Sequence, residues 1–489
     1  MSAKSIKRNY IYSTAYSILT VITPLITAPY LSRVLEADGV GLFSFAASVA
    51  SYFIVFSDMG TGLYAKREVS YFQDDIEKRS IVFWETIILR SINSLIALAV
   101  YLAGVYFYDG ANKIIFFIYS LQIITTVCDV SWLLAGLEEF GKLVFRNLIV
   151  RVLDIAFIFT FIKTKSDLTL HIFGFLFFNF MGVLAIWKYV PYYVKKPDFK
   201  SLRPFRNIRT ILSLFLPGIA VQIYMALDKT MLGFLTGGTF ENGYYEQALK
   251  ISRTILPVVV SAAGVISPRI GYLFGRNDRE MINYYMYKSY QFVFFVAVPL
   301  CMGLVSISDN FIPWFLGPGY EKVSGLLKIS SFLLVIVGLS NVTGLQYLVT
   351  TKRQKFLTYS LTAGAAVNFL LNIILIRMYQ SYGAITASVM AETAIAFVQF
   401  WVIRRELSIK RIMMSGMNYY IAGGIMLALL LFMSSRLTPS AVHTLVMILT
   451  GAAIYSSLLF ILRDKLLLEY SARSLEFIKR KIFQHKEKN

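Results

Sequence analysis

Charged and amide side chains recur on single helical faces inside otherwise apolar stretches of this chain. Thr86, Arg90 and Asn93 follow i, i+4, i+7 spacing, and Asn147, Arg151 and Asp154 repeat it. Lys250, Arg253 and Pro257 share a stripe, Asp228 and Lys229 sit in the outer half of the preceding stretch, and Ser388, Glu392 and Gln399 mark a later one. Ser44, Ser48 and Ser51 line one more face. Ionisable groups in hydrocarbon are costly and face a bundle interior or a water-filled cavity, so these residues define the candidate site. Arg90 and Arg253 have no acid one turn away in their own helices, Glu85 and Glu246 being five and seven residues off. If the groups meet, the cavity holds more fixed cation than anion and suits an anionic cargo. A guanidinium presents a planar donor fork that matches phosphate bidentately. The expected binding cations are Arg90, Arg253 and Lys229, with Arg33 and Lys250 nearer the outer surface. Asp228, Glu392, Arg151 and Asp154 are the candidates for ion pairing or ion coupling.

Plainer roles stand beside each of these. Arg33 and Lys250 lie close enough to the outer surface to snorkel. Arg151 and Asp154 could pair across one helical turn, and Asp228 and Lys229 could pair within the bundle. Glu392 is alone on its helix and could be protonated, paired from another span, or coupled to an ion.

The elements that must position these side chains are membrane helices. A bilayer core needs about 20 apolar residues per helix, and the sequence supplies that length repeatedly. Fourteen spans are expected, at about 10–32, 40–60, 81–107, 114–136, 144–162, 168–190, 209–236, 245–271, 286–307, 324–350, 357–376, 382–403, 415–435 and 441–462. Of 489 residues 57% are hydrophobic and 16% charged, yet the formal charge is +20. On a soluble protein that charge would point to nucleic acid. Here about 36 of the 48 Lys and Arg fall in alternate loops, the pattern of cytoplasmic loops, which places both termini in the cytoplasm and calls for no nucleic-acid partner.

The first span holds Thr23, Pro24, Thr27 and Pro29 and runs into Tyr30-Leu31-Ser32-Arg33, so it reads as a retained helix rather than a cleaved signal. The tail from Asp464 mixes Leu475, Ile478 and Ile482 with Lys479, Arg480 and Lys481, as in an amphipathic segment on the inner membrane surface or a solvated basic tail. Prolines inside spans, at 24, 29, 217, 257, 268 and 299, are places where helices can bend. Cys128 and Cys301 lie within apolar runs and the three histidines, His171, His443 and His485, are scattered, so neither a disulfide framework nor a metal centre is expected.

An internal repeat is visible. With Leu35 laid on Leu235, LEADGVGLFSFAASV aligns with LTGGTFENGYYEQALKI after two extra residues, matching Gly41 to Gly243 and Ala46 to Ala248. The offset of about 200 residues is six spans, an even number, so the two copies share one topology.

Three blocks, YLSRVLEADGVGLFSFAASVASYFIVFSDMGTGLYAKRE, LDKTMLGFLTGGTFENGYYEQALKISRTILP and VNFLLNIILIRMYQSYGAITASVMAE, resemble the Wzx-type polysaccharide repeat-unit flippases of the MATE-like superfamily. The resemblance covers about residues 5–460. It implies an all-α polytopic protein with two six-helix lobes around a central cavity and two appended helices. The corresponding divisions are 1–205, 206–411, 412–463 and a basic tail, 464–489. It further implies a bacterial cytoplasmic membrane location and alternating access. The implied cargo is an oligosaccharide on undecaprenyl pyrophosphate, moved to the outer leaflet for capsule, O-antigen or exopolysaccharide assembly. Membrane lipids and polysaccharide polymerase or assembly proteins are the implied partners. No cofactor is called for, and Na+ or H+ coupling stays open.

Two other readings compete with this one. A MATE-type drug exporter takes cationic cargo and should expose carboxylates in its cavity. A membrane glycosyltransferase or polymerase needs a sizeable outer loop with an acidic metal motif, and no loop here is long enough. A non-catalytic scaffold in a glycan assembly complex is a further alternative.

Overall fold

The computed structural model describes residues 6–469 apart from 111 and 197. Side chains are described from Ile22 onward, except at 216–218, 220, 221, 223, 262 and 265. All regular structure among these residues is helical, as the sequence implies. The chain forms two compact units, Met1–Glu246 and Gln247–Asn489. Of the tail expected from Asp464 onward, residues 470–489 lie outside the described residues, and its first residue is tied to the second unit, Asp464 Oδ1 accepting from the Tyr419 hydroxyl at 3.1 Å.

The first unit contains α1 (Ile6–Asp58), α2 (Thr61–Tyr71), α3 (Ile76–Phe107), α4 (Lys113–Cys128), α5 (Ser131–Gly136), α6 (Phe140–Phe161), α7 (Leu168–Leu184), α8 (Val190–Tyr193), α9 (Ile208–Leu235) and the first turns of α10 (Phe240–Gly275). Its membrane core joins Phe45, Ala46 and Ala50 of α1 to Ala97 and Tyr101 of α3, Phe116 and Tyr119 of α4, and Ile172 of α7. The Tyr101 hydroxyl, buried among these, donates to the Phe116 carbonyl at 2.6 Å, so the ring packs without stranding a polar atom. A second cluster near α2 and α5 is aromatic. Phe83 is fully buried, its ring centroid 5.2 Å from Trp84, 5.4 Å from Trp132 and 6.0 Å from Trp187.

The first two expected spans form one assigned helix, α1, interrupted at Glu36 with φ 58 and ψ 178. The 37 residues Ile22–Asp58 would extend about 55 Å as a straight helix, nearly twice a ~30 Å hydrocarbon core. A single left-handed residue thus replaces the loop expected between the spans.

The repeat alignment has a physical counterpart at this place. A Cβ on Gly41 would sit 1.7 Å from the Thr239 carbonyl oxygen, and one on Gly243 2.0 Å from the Ala37 carbonyl oxygen. The aligned glycines therefore make reciprocal close approaches, each against the backbone of the other's segment, and both positions exclude any side chain.

The second unit continues α10 and adds α11 (Arg279–Leu316), α12 (Glu321–Ser330), α13 (Phe332–Asn341) with a π-helical extension over Val342–Val349, α14 (Gln354–Tyr379), α15 (Ser381–Ile403), α16 (Ile409–Ser415), α17 (Met417–Ser434) and α18 (Ala441–Ile461). The helix α10 bends by 43° between Phe240–Ser261 and Ile266–Gly275 and carries Pro257 and Pro268. The junction of α14 and α15 is one residue, Gln380, at φ 54. The two helices then pack so closely that a Cβ on Gly383 would lie 2.0 Å from the Leu375 carbonyl oxygen. The last two expected spans, α17 and α18, pack on α11. Asn310 donates from Nδ2 to Ser434 Oγ at 2.7 Å and Trp314 from Nε1 to Thr444 Oγ1 at 2.8 Å.

Among the described residues ten helices are long and apolar enough to cross a membrane, or eleven with the bent α10. Fourteen is reached by dividing α1 at Glu36 and adding two more helices. One is α6, whose Lys142, Arg146, Arg151 and Asp154 lower its apolarity, and the other is α9, only part of whose side chains are described.

Candidate functional site

Within the first unit, the last turn of α1 and helices α2 to α7 enclose a polar cavity of about 590 Å³. Its charged lining is Asp58, Lys66, Arg90, Asp129 and Arg146, with Gln122, Thr125, Thr126 and Asn179 as neutral polar groups. Three cations against two carboxylates leave one excess positive charge. The cavity opens among residues that the positive-inside pattern assigns to the inner side.

Arg90 forms its buried wall. Its side chain is 3% exposed, and its guanidinium is tied to four groups on other elements. Nε donates to Thr61 Oγ1 at 2.9 Å, Nη1 to the carbonyls of Asp129 at 2.7 Å and Thr126 at 3.3 Å, and Nη2 to Asp58 Oδ1. Asp58 ends α1 and faces the N-terminus of α2, where the Gly62 N–H donates to the same Oδ1 at 3.3 Å. Gly62 makes room for this pair, since a Cβ there would lie 2.9 Å from Arg90 Nη2 and 3.1 Å from Asp58 Oδ1. Arg90 therefore braces α1, α2, α3 and the α4–α5 junction, and most of its donors are already engaged.

Lys229 is also matched by a carboxylate. Its Nζ lies 2.6 Å from Glu246 Oε2, which further accepts from Ser44 Oγ at 2.8 Å. Asp228, 5% exposed, accepts from the Tyr245 hydroxyl. Ser48 bonds Thr230 Oγ1 at 2.9 Å and Tyr52 donates to that oxygen at 3.1 Å. The serine face read from the sequence thus cross-links α1 to α9 and α10, within the first unit, and Asp228 and Lys229 each bond a residue of α10 inside the bundle.

The remaining expected residues are dispersed. Arg33 is exposed and donates to the Pro29 carbonyl of its own helix at 3.4 Å. Arg151 and Asp154 make no contact ion pair among the described residues, and Asp154 Oδ1 is buried with no hydrogen-bond partner there. In the second unit Arg253 is exposed, while Lys250 and Glu392 are half-buried. Among the described residues no group of three or more His, Cys, Asp and Glu side chains could hold a metal.

The sequence reading missed Asp58, Glu246, Lys66 and Arg146. Asp58 and Glu246 lie on helices other than those of the cations they neutralise, so spacing within a helix carries no trace of them. Lys66 and Arg146 were assigned to topology.

These helices share the fold of the lipid II flippase MurJ in its inward closed conformation. The TM-score is 0.71 at 17% identity, over 93% of this chain and 99% of that one. An inward-facing multidrug resistance MATE transporter of the MOP superfamily matches with a TM-score of 0.55 at 14% identity, over 81% and 98% of the two chains. By sequence, the chain belongs to the family described as polysaccharide biosynthesis protein, whose model matches residues 6–274. It is 24% identical over 406 residues to an Escherichia coli (strain K12) protein named "Putative O-antigen transporter", covering 82% of this chain and 97% of that one. It is 25% identical over 188 residues to the lipid II flippase MurJ of Bacillus subtilis (strain 168), covering 37% and 32%. The resemblance to MATE-like polysaccharide exporters drawn from the three sequence blocks is borne out.

Proposed function

We propose that this chain is a flippase that carries an undecaprenyl-pyrophosphate-linked oligosaccharide from the inner to the outer leaflet of a bacterial cytoplasmic membrane. Both termini are cytoplasmic in this reading, and the cycle is alternating access. The observation that carries it is the near full-length relationship to a protein named as an O-antigen transporter, joined to a lipid II flippase fold. The work of such a protein is to lower the desolvation barrier of a polar head group, and no bond need be made or broken. In the first-unit cavity Lys66 and Arg146 meet the pyrophosphate, while Arg90, most of whose donors are engaged, braces the wall. Arg253, expected from the sequence to meet the cargo, is an exposed cation of the second unit. The lipid tail remains in the bilayer throughout.

The test is reconstitution into liposomes with a fluorescent pyrophosphate-linked oligosaccharide on one leaflet. Protein-dependent exposure on the other leaflet is expected. Liposomes with protein that perform no better than empty ones, in a preparation that exports ethidium, would replace this reading with a drug exporter.

A further inference from the structure

The second unit contains its own cationic cavity, of about 450 Å³, where the start of α11, the end of the π-helical segment and the loops before α14 and after α15 come together. Three arginines line it, Arg279, Arg353 and Arg405, against one carboxylate, Glu406. Arg353 and Glu406 are locked together. Nη1 and Nη2 reach the two carboxylate oxygens at 2.6 and 2.8 Å, and the Tyr347 hydroxyl donates to Oε2 at 2.5 Å. Burial opposes the charge on Glu406, but the Arg353 fork and the Tyr347 hydroxyl outweigh it and hold the carboxyl below its usual range. It is therefore an anion at neutral pH, and its charge is spent on Arg353.

Arg279 and Arg405 are left over. Both are exposed on the cavity, and neither guanidinium makes a hydrogen bond or contact ion pair among the described residues, although the charge of Arg279 reaches Glu406. The N-terminus of α11 is already capped by Asp278, whose Oδ1 accepts from the Met281 N–H at 3.1 Å, so the excess charge here belongs to the guanidinium groups rather than to helix amides. Three cations less one carboxylate leave two positive charges in a concave, water-accessible space. Phe274 and Ile282 supply an apolar flank. This combination suits a phosphate group attached to a larger body, because each free guanidinium can present two parallel donors to phosphate oxygens.

We infer that the cavity lined by Arg279, Arg353, Arg405 and Glu406 is a phosphate-binding site distinct from the first-unit cavity, taking either an anionic lipid head group or a soluble phosphate compound. Arg279 and Arg405 clasp the phosphate. The Arg353–Glu406 pair orients the site and sets its charge. Occupancy cross-links the N-terminal end of α11 to the loop that follows α15. The inference does not depend on the identity of the transported cargo.

The test uses the full-length protein in nanodiscs. In one arm, discs of phosphatidylcholine are titrated with inorganic pyrophosphate and heat is measured. In the other, thermal unfolding is compared between phosphatidylcholine discs and discs containing phosphatidylglycerol. Wild type is expected to respond in at least one arm, with the arm identifying the source of the phosphate. Arg279→Ala/Arg405→Ala is expected to weaken that response by about tenfold or more while unfolding normally in phosphatidylcholine. Arg279→Lys/Arg405→Lys retains part of it, and Glu406→Gln, which frees Arg353, strengthens it. A wild type silent in both arms overturns the site. So does a response that survives the double alanine variant unchanged, and so does a Glu406→Gln variant that binds no better than wild type.

Discussion

Each unit holds an arginine–carboxylate pair on the wall of a polar cavity, and the two differ in depth. In the first unit Arg90 is 3% exposed, with donors committed to Asp58, Thr61, Thr126 and Asp129. In the second unit Arg353 is 24% exposed and Glu406 38%, with two cations beside them that bind nothing within the described chain. Burial separates their jobs. A guanidinium almost wholly buried with most of its donors engaged is an element of structure, whereas one at a cavity mouth can exchange partners for a ligand. The same difference in exposure applies inside the first cavity, between buried Arg90 and exposed Lys66.

The sharpest way to break this contrast is to remove one member of the deep pair. Asp58→Ala removes the carboxylate partner of a buried guanidinium that keeps its bonds to Thr61, Thr126 and Asp129, and with Asp58 itself 37% exposed it should destabilise the protein by about 1–3 kcal/mol. Thermal unfolding in nanodiscs measures it. The Asp58→Ala/Arg90→Met double variant should recover part of the loss, and a strictly additive double variant would show that the pair is not coupled. Gly41→Ala comes next. Its Cβ would collide with the Thr239 carbonyl, and the forced backbone shift should cost about 1–3 kcal/mol, as should Gly243→Ala against Ala37.

Breaking the shallow pair should matter least. Arg353→Ala is expected to cost about 1 kcal/mol or less, because a half-exposed pair is screened by solvent. Its pH dependence has a fixed sign. The folded-state carboxyl of Glu406 lies below its unfolded value, so the contribution is present above about pH 4.3 and fades as pH falls through the lower folded value. Unfolding of wild type and Glu406→Gln should therefore differ by a constant amount between about pH 6 and 8, and the gap should close below about pH 4.

Much of this architecture is legible in the sequence, because bilayer thickness and loop charge are linear signals. The end of α3, the start of α7 and both limits of α15 follow from apolar length alone. The Gly41–Gly243 correspondence follows from the repeat alignment and is a reciprocal contact. The site was less legible. Arg90 stands out as a cation with no acid one turn away in its own helix, and Lys229 stands beside Asp228 in its helix. Their carboxylates arrive from α1 and α10 through packing that no spacing rule encodes. The one-residue turns at Glu36 and Gln380 were hidden for a related reason, since neither Glu nor Gln announces a left-handed backbone as glycine would.

The account rests on accessible cations, rather than buried ones, meeting a phosphorylated cargo. The direct measurement is the initial rate of leaflet transfer of a fluorescent pyrophosphate-linked oligosaccharide in liposomes, for wild type, Lys66→Gln/Arg146→Gln and Arg253→Gln, each first shown to unfold like wild type. The account predicts transfer by wild type and a loss of about tenfold or more for the Lys66/Arg146 variant, with a smaller loss for Arg253→Gln. Transfer by all three at the wild-type rate would contradict it.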